Sequence, residues 1–492
     1  MKDQSKYETV VGLEVHARLL TKSKLFCGDS TAFGDPPNTH VSPITLAHPG
    51  SLPKMNKKAI VFAIKRGLAC HCEIERSNYF ARKNYFYPDL PKGYQVSQHT
   101  TPICIGGYVT IQTREGEKKI PLNRIHLEDD AGKSLHDVDP DNTCIDFNRA
   151  GTALIEIVSE PAIRSGEEAY AYVTGIRKLV RYLEISDGNM EEGSLRCDVN
   201  ISVREKGEAR LGTKVEVKNL NSIRHVKKAV EYESERLMAI LEEGGTIMQQ
   251  TRSFDAGAGI TFAIRDKEDA EDYRYFAEPD LTPFRLQDSF IDAIRQTIPA
   301  LQEERIKKYT ASFHLSEYDA QVLTEEKSFS DYFEKIITAL DSFPPPREGV
   351  RGRPKDAANW MLGPVKSWLN DNNREIRDFP LAPVQIAGLI KLVGEGKLSF
   401  SSAATKIFSQ LLHDPSGQPE QIAIDHDMIL QSDVTVIEPV INRVLETYAD
   451  KVAEYKKGKK GLLALFVGEV MKQTGSKADP KITREILMEK LK

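Results

Sequence analysis

Five short segments in the first half of this 492-residue chain alternate apolar and ionisable residues, the period of a β-strand with one charged face. In Val10–Leu19, Val11, Leu13, Val15, Ala17 and Leu19 fall on one side and Glu14, His16 and Arg18 on the other. Arg124, His126 and Glu128 alternate with Ile125 and Leu127, and Glu156 sits between Ile155 and Ile157. Arg196, Asp198, Asn200 and Ser202 alternate with Cys197, Val199, Ile201 and Val203; Lys214, Glu216 and Lys218 alternate with Val215 and Val217. A solvated antiparallel face explains any one of these strands. Taken together, acids, imidazoles and arginines in one register are what a site for metal and phosphate requires.

Up to about residue 290 short strands mix with a few helices without regular βαβ alternation, so the expected class is α+β with an antiparallel sheet. Helical spacing appears over Asn56–Cys70, Glu167–Leu183 and His225–Glu243; Ser165 caps the second, with Glu168 at the capping-box position. Beyond about 290 helix follows helix. The length predicts roughly three domains. The expected division is an α+β domain over 1–293, an all-α helical domain over 294–378 and an all-α tail over 379–492. Pro344–Pro354 is a stiff, basic break within the helical half.

The net charge of −5 means that any nucleic-acid surface must be local. One candidate is residues 451–484, with nine Lys or Arg against three acids. Within it Lys456, Lys457, Lys459 and Lys460 precede a helix that carries Lys472; they read either as a solvated cluster or as contacts to a phosphate backbone. No apolar run reaches the ~18 residues of a membrane helix, and the N-terminus lacks the apolar stretch of a signal peptide, so a cytoplasmic protein without membrane contact is expected. The six cysteines, all before residue 200, read as reduced thiols. Cys70-His71-Cys72 has no partner pair at zinc spacing.

Neither a Walker loop nor a dinucleotide-binding fingerprint is present, so phosphate would be handled by cations and metal on a sheet. Arg82–Gln98 presents Lys83 among Tyr85, Phe86 and Tyr87 and is stiffened by Pro88 and Pro91; a lysine held this way can neutralise a transferring phosphoryl group, though a rigid surface loop reads equally well. Glu128, Asp129 and Asp130 are three consecutive acids at a strand end, and with Glu14 and Glu156 they supply enough oxygens for one or two Mg²⁺ ions.

These segments together closely resemble the B-subunit family of the aspartyl/glutamyl-tRNA amidotransferases. The likeness is carried by Val11–His16, Arg82–Gln95, His126–Lys133, Asn148–Gly151 with Glu156–Val158, Asp187–Asp198, Lys218–Ser222 and Asp272–Tyr275, and in the helical half by Asn359-Trp360 and Phe466–Lys472. The resemblance implies a glutamine-synthetase-like cradle for ATP and Mg²⁺. It implies a ligase that phosphorylates the side-chain carboxylate of Glu on tRNA(Gln), or of Asp on tRNA(Asn), and amidates it with ammonia. Glu14, His16, Glu128, Asp129 and Glu156 would then carry the metal, Lys83, Asn84 and Arg196 the nucleotide, and Lys83, His16, Arg196 and Lys218 the chemistry. An amidase A subunit would supply ammonia and a small C subunit would complete a heterotrimer. Only Cys27 stands where some relatives carry four zinc-binding cysteines, so no zinc is expected. The competing readings are a non-catalytic tRNA-binding chaperone and a free-standing carboxylate–amine ligase.

Overall fold

The computed structural model describes residues 6–266, 273–343, 353–430, 434–475 and 477–492. Asp272 and residues 344–352 of the proline-rich break lie outside them. The chain divides into two compact units, residues 1–301 and 302–492.

The first unit is built on one large sheet. Its main path uses ten strands: β1 (Tyr7–Arg18), β2 (Ala81–Asn84), β3 (Tyr94–Ser97), β4 (Gly116–Asp129), β5 (Ala153–Ser159), β6 (Leu195–Glu205), β7 (Val215–Leu220), β8 (Gln250–Asp255), β9 (Ile260–Asp266) and β10 (Phe276–Ala277). They lie side by side in the order β9-β8-β7-β6-β1-β5-β4-β3-β2-β10. The N-terminal strand is therefore central, between β5 and β6. Neighbours are antiparallel except β7 and β8, which run parallel, so the sheet is mixed and not antiparallel throughout as expected. The reason lies in the connection: a helix between those two strands carries the chain back to the end from which it started.

That helix is α3 (Ile223–Glu242), started by the Ser222 side chain accepting from the His225 N–H. Two others precede it, α1 (Lys57–Ala69) and α2 (Gly166–Tyr182). Ser165 caps α2 through the Glu168 N–H, and Glu168 accepts in turn from the Arg164 N–H at 2.8 Å. The three helices bury their apolar stripes against one face of the sheet, where Val11, Leu13, Val15 and Ala17 of β1 are fully buried with Ile125, Leu127, Ile155, Ile157, Val199 and Val217. The alternation that puts these side chains under the helices puts Glu14, His16, His126, Glu128, Glu156 and Arg196 on the opposite face.

The second unit's named elements are all helices. It buries two separate apolar clusters. The larger runs from Tyr309 to Ala423 around Phe333, Trp360, Leu389 and Ile407. The smaller runs from Ile437 to Leu491 around Ile441, Phe466 and Leu487. The division expected at 378/379 falls inside the larger cluster, since Phe379 and Leu381 pack into it. None of the helices among the described residues is long and apolar enough to cross a membrane.

At Gly67 in α1 a Cβ would stand 2.3 Å from Cys104 Sγ, which lies on the underside of the sheet. Gly67→Ala is expected to destabilise the first unit by about 1–3 kcal/mol through overpacking, read as a lower denaturation midpoint with unchanged slope. An unchanged midpoint would show that this helix is not tightly seated.

Candidate functional site

Strand register assembles the site. His16 is paired with Glu156 on one side and Arg196 on the other, and Glu156 is paired with His126. One row across four strands thus reads Arg196, His16, Glu156, His126. Glu128, two residues along β4 from His126, closes the group. His16 Nε2 lies 3.4 Å from Glu128 Oε1 and 3.5 Å from Glu156 Oε2. His126 Nε2 lies 3.1 Å from Glu156 Oε2 and 3.8 Å from Glu128 Oε2. Among the described residues, His16, Glu128 and Glu156 are the one group of at least three potential ligands whose donor atoms lie within 4.8 Å of one another.

The two carboxylates are only 3% and 9% exposed, so their charge needs compensation on the spot. The imidazoles provide it. Burial alone would lower both histidines; Glu156 and Glu128 outweigh it and hold His16 and His126 up at about 9. Burial would raise Glu156, but His126 and His16 bring it well below the ordinary carboxylate value. One divalent cation in place of the imidazolium protons would satisfy the same acids; the carboxylate oxygens suit a hard ion, for which an imidazole is a less usual ligand.

The other expected residues fall into distinct places. Glu14 shares the face one step along β1, but its Oε1 accepts from Asn200 Nδ2 at 2.9 Å, and burial and Glu156 raise its pKa. Asp129 does not join the cluster. Alternation turns it to the other side of β4, where it pairs with Lys92 and accepts from the Val96 N–H at 2.8 Å. It lines a cavity of about 220 Å³ there, with Phe26, His48 and Tyr94. Asp130 is clamped by Arg196 at 2.8 Å and Arg149 at 3.3 Å; the two guanidiniums outweigh burial and hold its carboxyl low. Lys218 sits 3.1 Å from Glu216 and 3.4 Å from Asp198, which raise its pKa against the effect of burial.

The pairings Ser97↔Glu128 and Lys83↔Gln95 put Lys83 on the Glu128 face, two strands away, roughly 10 Å across the sheet. Its ammonium lies over the Tyr273 ring at 4.7 Å and the Tyr85 ring at 5.8 Å. Asn84 points its amide at the Arg274 carbonyl, 2.8 Å away. The Cys27 stretch is held by a different set of groups from the four thiols of a zinc site. Lys24 donates to the His40 carbonyl at 2.6 Å and the Phe147 carbonyl at 3.2 Å, and Cys27 Sγ lies 3.5 Å from Thr45 Oγ1.

In the second unit, Lys457 and Lys459 flank the turn between the helices Ala449–Lys456 and Leu463–Gln473. Lys459 pairs with Glu454 at 3.1 Å and Lys460 covers the Tyr455 ring at 4.3 Å, while Lys456, Lys457 and Lys472 are exposed.

The family model described as the GatB/GatE catalytic domain matches residues 9–292, a span that holds the whole carboxylate–imidazole cluster, and the one described as the GatB domain matches residues 346–491. The chain belongs to the GatB family. Relatives named as the B subunit of the aspartyl/glutamyl-tRNA(Asn/Gln) amidotransferase are 46% identical over 489 residues in Geotalea uraniireducens and 45% identical over 487 in Caldanaerobacter subterraneus; each match covers 99% of both chains. The Chlorobium phaeobacteroides relative of that name is 46% identical over 486 residues. The GatB family resemblance drawn from the motifs is thereby established over nearly the whole chain. His126 was absent from the expected site set. Its place in the alternation of β4 is visible in sequence, but its pairing with Glu156 is not.

The raised histidines fix the sign of a pH effect. Their protonation stabilises the metal-free fold fully below about 6.5, and this contribution is lost as pH rises through about 9. The metal-free chain is therefore expected to lose thermal stability between about pH 7 and 9, and millimolar Mg²⁺ or Mn²⁺ to restore most of the loss. Melting curves with and without the ion would contradict this if the ion had no effect at pH 9.

Proposed function

We propose that this chain is the ligase subunit of a tRNA-dependent amidotransferase, working on a side-chain carboxylate already esterified to tRNA. The observation that carries the reading is the convergence of His16, Glu128 and Glu156 on one face of a sheet, with Arg196 and Lys83 on the same face, in a chain of the GatB family. A carboxylate is a poor electrophile because the leaving group would be oxide. ATP supplies the remedy: the side-chain carboxylate of Glu-tRNA(Gln), or of Asp-tRNA(Asn), takes the γ-phosphoryl group and ADP departs. Ammonia then attacks the acyl carbon and inorganic phosphate leaves, giving the amide.

The donor set fits Mg²⁺, and in this reading His16, Glu128 and Glu156 hold it, with Glu14 adjoining. Bound there, the ion would offset charge on the transferring phosphoryl group. Lys83 meets the phosphoryl oxygens from the other side of the cluster. Arg196, held in place by Asp130, faces phosphate or the acceptor end. Lys218, tied to Asp198 and Glu216, orders that side of the face. His126 keeps Glu156 ionised and oriented. Asn84, engaged with the Arg274 carbonyl, orders the chain beside Lys83.

Ammonia comes from a partner glutaminase, an A subunit, with a small C subunit completing the complex. The tail over 379–492 contributes tRNA contacts through Lys456, Lys457, Lys459, Lys460 and Lys472. The assembled cluster argues against a chaperone that has lost its chemistry, and the basic tail against a ligase for small molecules.

In the purified complex with ATP, Mg²⁺, Glu-tRNA(Gln) and ammonia in place of glutamine, Lys83→Ala is expected to lower tRNA-dependent ADP release ~100-fold or more while tRNA still binds. Unchanged turnover would remove Lys83 from the mechanism. Replacing Lys456, Lys457, Lys459 and Lys460 together by Gln should weaken tRNA binding and flatten its salt dependence by roughly three logarithmic units per decade of salt. An unaltered slope would return these lysines to the solvated surface.

A further inference from the structure

The mechanism leaves Tyr273, Arg274 and Tyr275 without a role, yet the fold fixes them from several directions. The Asn84 N–H donates to the Tyr273 carbonyl at 3.0 Å, and the Asn84 amide to the Arg274 carbonyl at 2.8 Å. Arg274 has φ +44°, a left-handed backbone that a residue with a side chain adopts only where its surroundings hold it. The Tyr275 ring lies flat on His99, with centroids 3.9 Å apart and planes 6° apart. Phe276 and Ala277 pair with Arg82 and Ala81, and Glu278 accepts two hydrogen bonds from the Arg82 guanidinium at 2.8 Å each. The Tyr273 ring itself stands edge-on to Tyr85 and to Tyr275 at about 6 Å.

Lys83 is held differently from two other lysines of the same unit, Lys92 and Lys218. Lys92 pairs with Asp129, and Lys218 pairs with Asp198 and Glu216. A carboxylate partner fixes an ammonium but cancels its charge for any anion that arrives later. Lys83 has no carboxylate partner among the described residues; its ammonium is held over ring faces, closest to Tyr273 at 4.7 Å. A ring quadrupole attracts a cation without adding net charge, so the ammonium is held in place at full charge. That is the state required of a group that must stabilise a phosphoryl group carrying several negative charges.

We propose that Tyr273 is a positioning residue for phosphoryl transfer, whose ring face holds the Lys83 ammonium beside the carboxylate cluster without neutralising it. The inference rests on the role given above to Lys83. It extends the site to a part of the chain nearly 200 residues away in sequence, and it gives the Tyr273–Tyr275 motif a physical purpose.

The test uses the whole complex with Glu-tRNA(Gln), ATP, Mg²⁺ and ammonia, and the variants Tyr273→Leu, Tyr273→Phe, Lys83→Ala and Lys83→Ala with Tyr273→Leu. Losing the ring should misplace the ammonium and lower turnover ~100-fold. Tyr273→Phe keeps the ring face and should stay within about threefold of the parent. In the Lys83→Ala background Tyr273→Leu should add no further loss, because both changes remove one interaction. Covalent labelling gives a second readout: acetylation of Lys83 by acetic anhydride in the nucleotide-free complex should rise several-fold in Tyr273→Leu and not in Tyr273→Phe. Tyr273→Met replaces Tyr273→Leu if the latter melts early. Additive losses in the double variant, or unchanged labelling of Lys83, would overturn the proposal. A dead Lys83→Ala complex beside a fully active Tyr273→Leu complex would overturn it while sparing the role of Lys83. A Lys83→Ala complex with full turnover would remove both.

Discussion

Two buried carboxylates side by side set the terms for the first unit. Glu128 and Glu156 are almost wholly removed from water, and such a pair survives only if positive charge sits within a few ångströms of it. His16 and His126 supply that charge from the two neighbouring strands. The arrangement depends on strand register, and the register is held from behind. Sliding β1 by one residue against β5 would drive Glu14 and His16 into the helices and expose Val11, Leu13 and Val15. Burial of an apolar face under α1, α2 and α3 is thus the force that keeps an ionic cluster assembled on the opposite face.

Much of this was legible in sequence because it is local. Alternation identified the strands and the charged face, and the Ser165 cap and the apolar spacing located the helices. The same alternation already separates Glu128 from Asp129, so the expectation that Asp129 binds metal neglected a signal that was present. What could not be read is non-local. The pairing of His126 with Glu156 follows from the adjacency of β4 and β5, which no spacing within either strand encodes. The parallel pairing of β7 with β8 depends on where α3 returns the chain. In the helical half, the burial of Phe379 and Leu381 with Phe333 and Trp360 joins segments that composition alone had parted.

The charged face also divides its work by how each cation is held. Arg196 and Lys218 are tied to carboxylates, which fix their place on the face. The histidines carry protons that a divalent ion can replace. Lys83, by contrast, rests on aromatic faces. Among the described residues this sheet thus holds its cations in three ways, by carboxylates, by exchangeable protons and by ring faces, sorted by their immediate neighbours and not by residue type.

The central place of β1 has a consequence for biosynthesis. Strand β1 leaves the ribosome with no sheet to join until residues 153–159 and 195–205 follow; the Leu13 N–H finds Ser159 Oγ across 146 positions, and Arg82 finds Glu278 across 196. Loop closure over such spans is slow, and until it happens the early strands are unpaired edges rich in Val, Ile and Leu. More than two hundred residues must therefore emerge before β1 has both of its neighbours and the nascent chain can bury it.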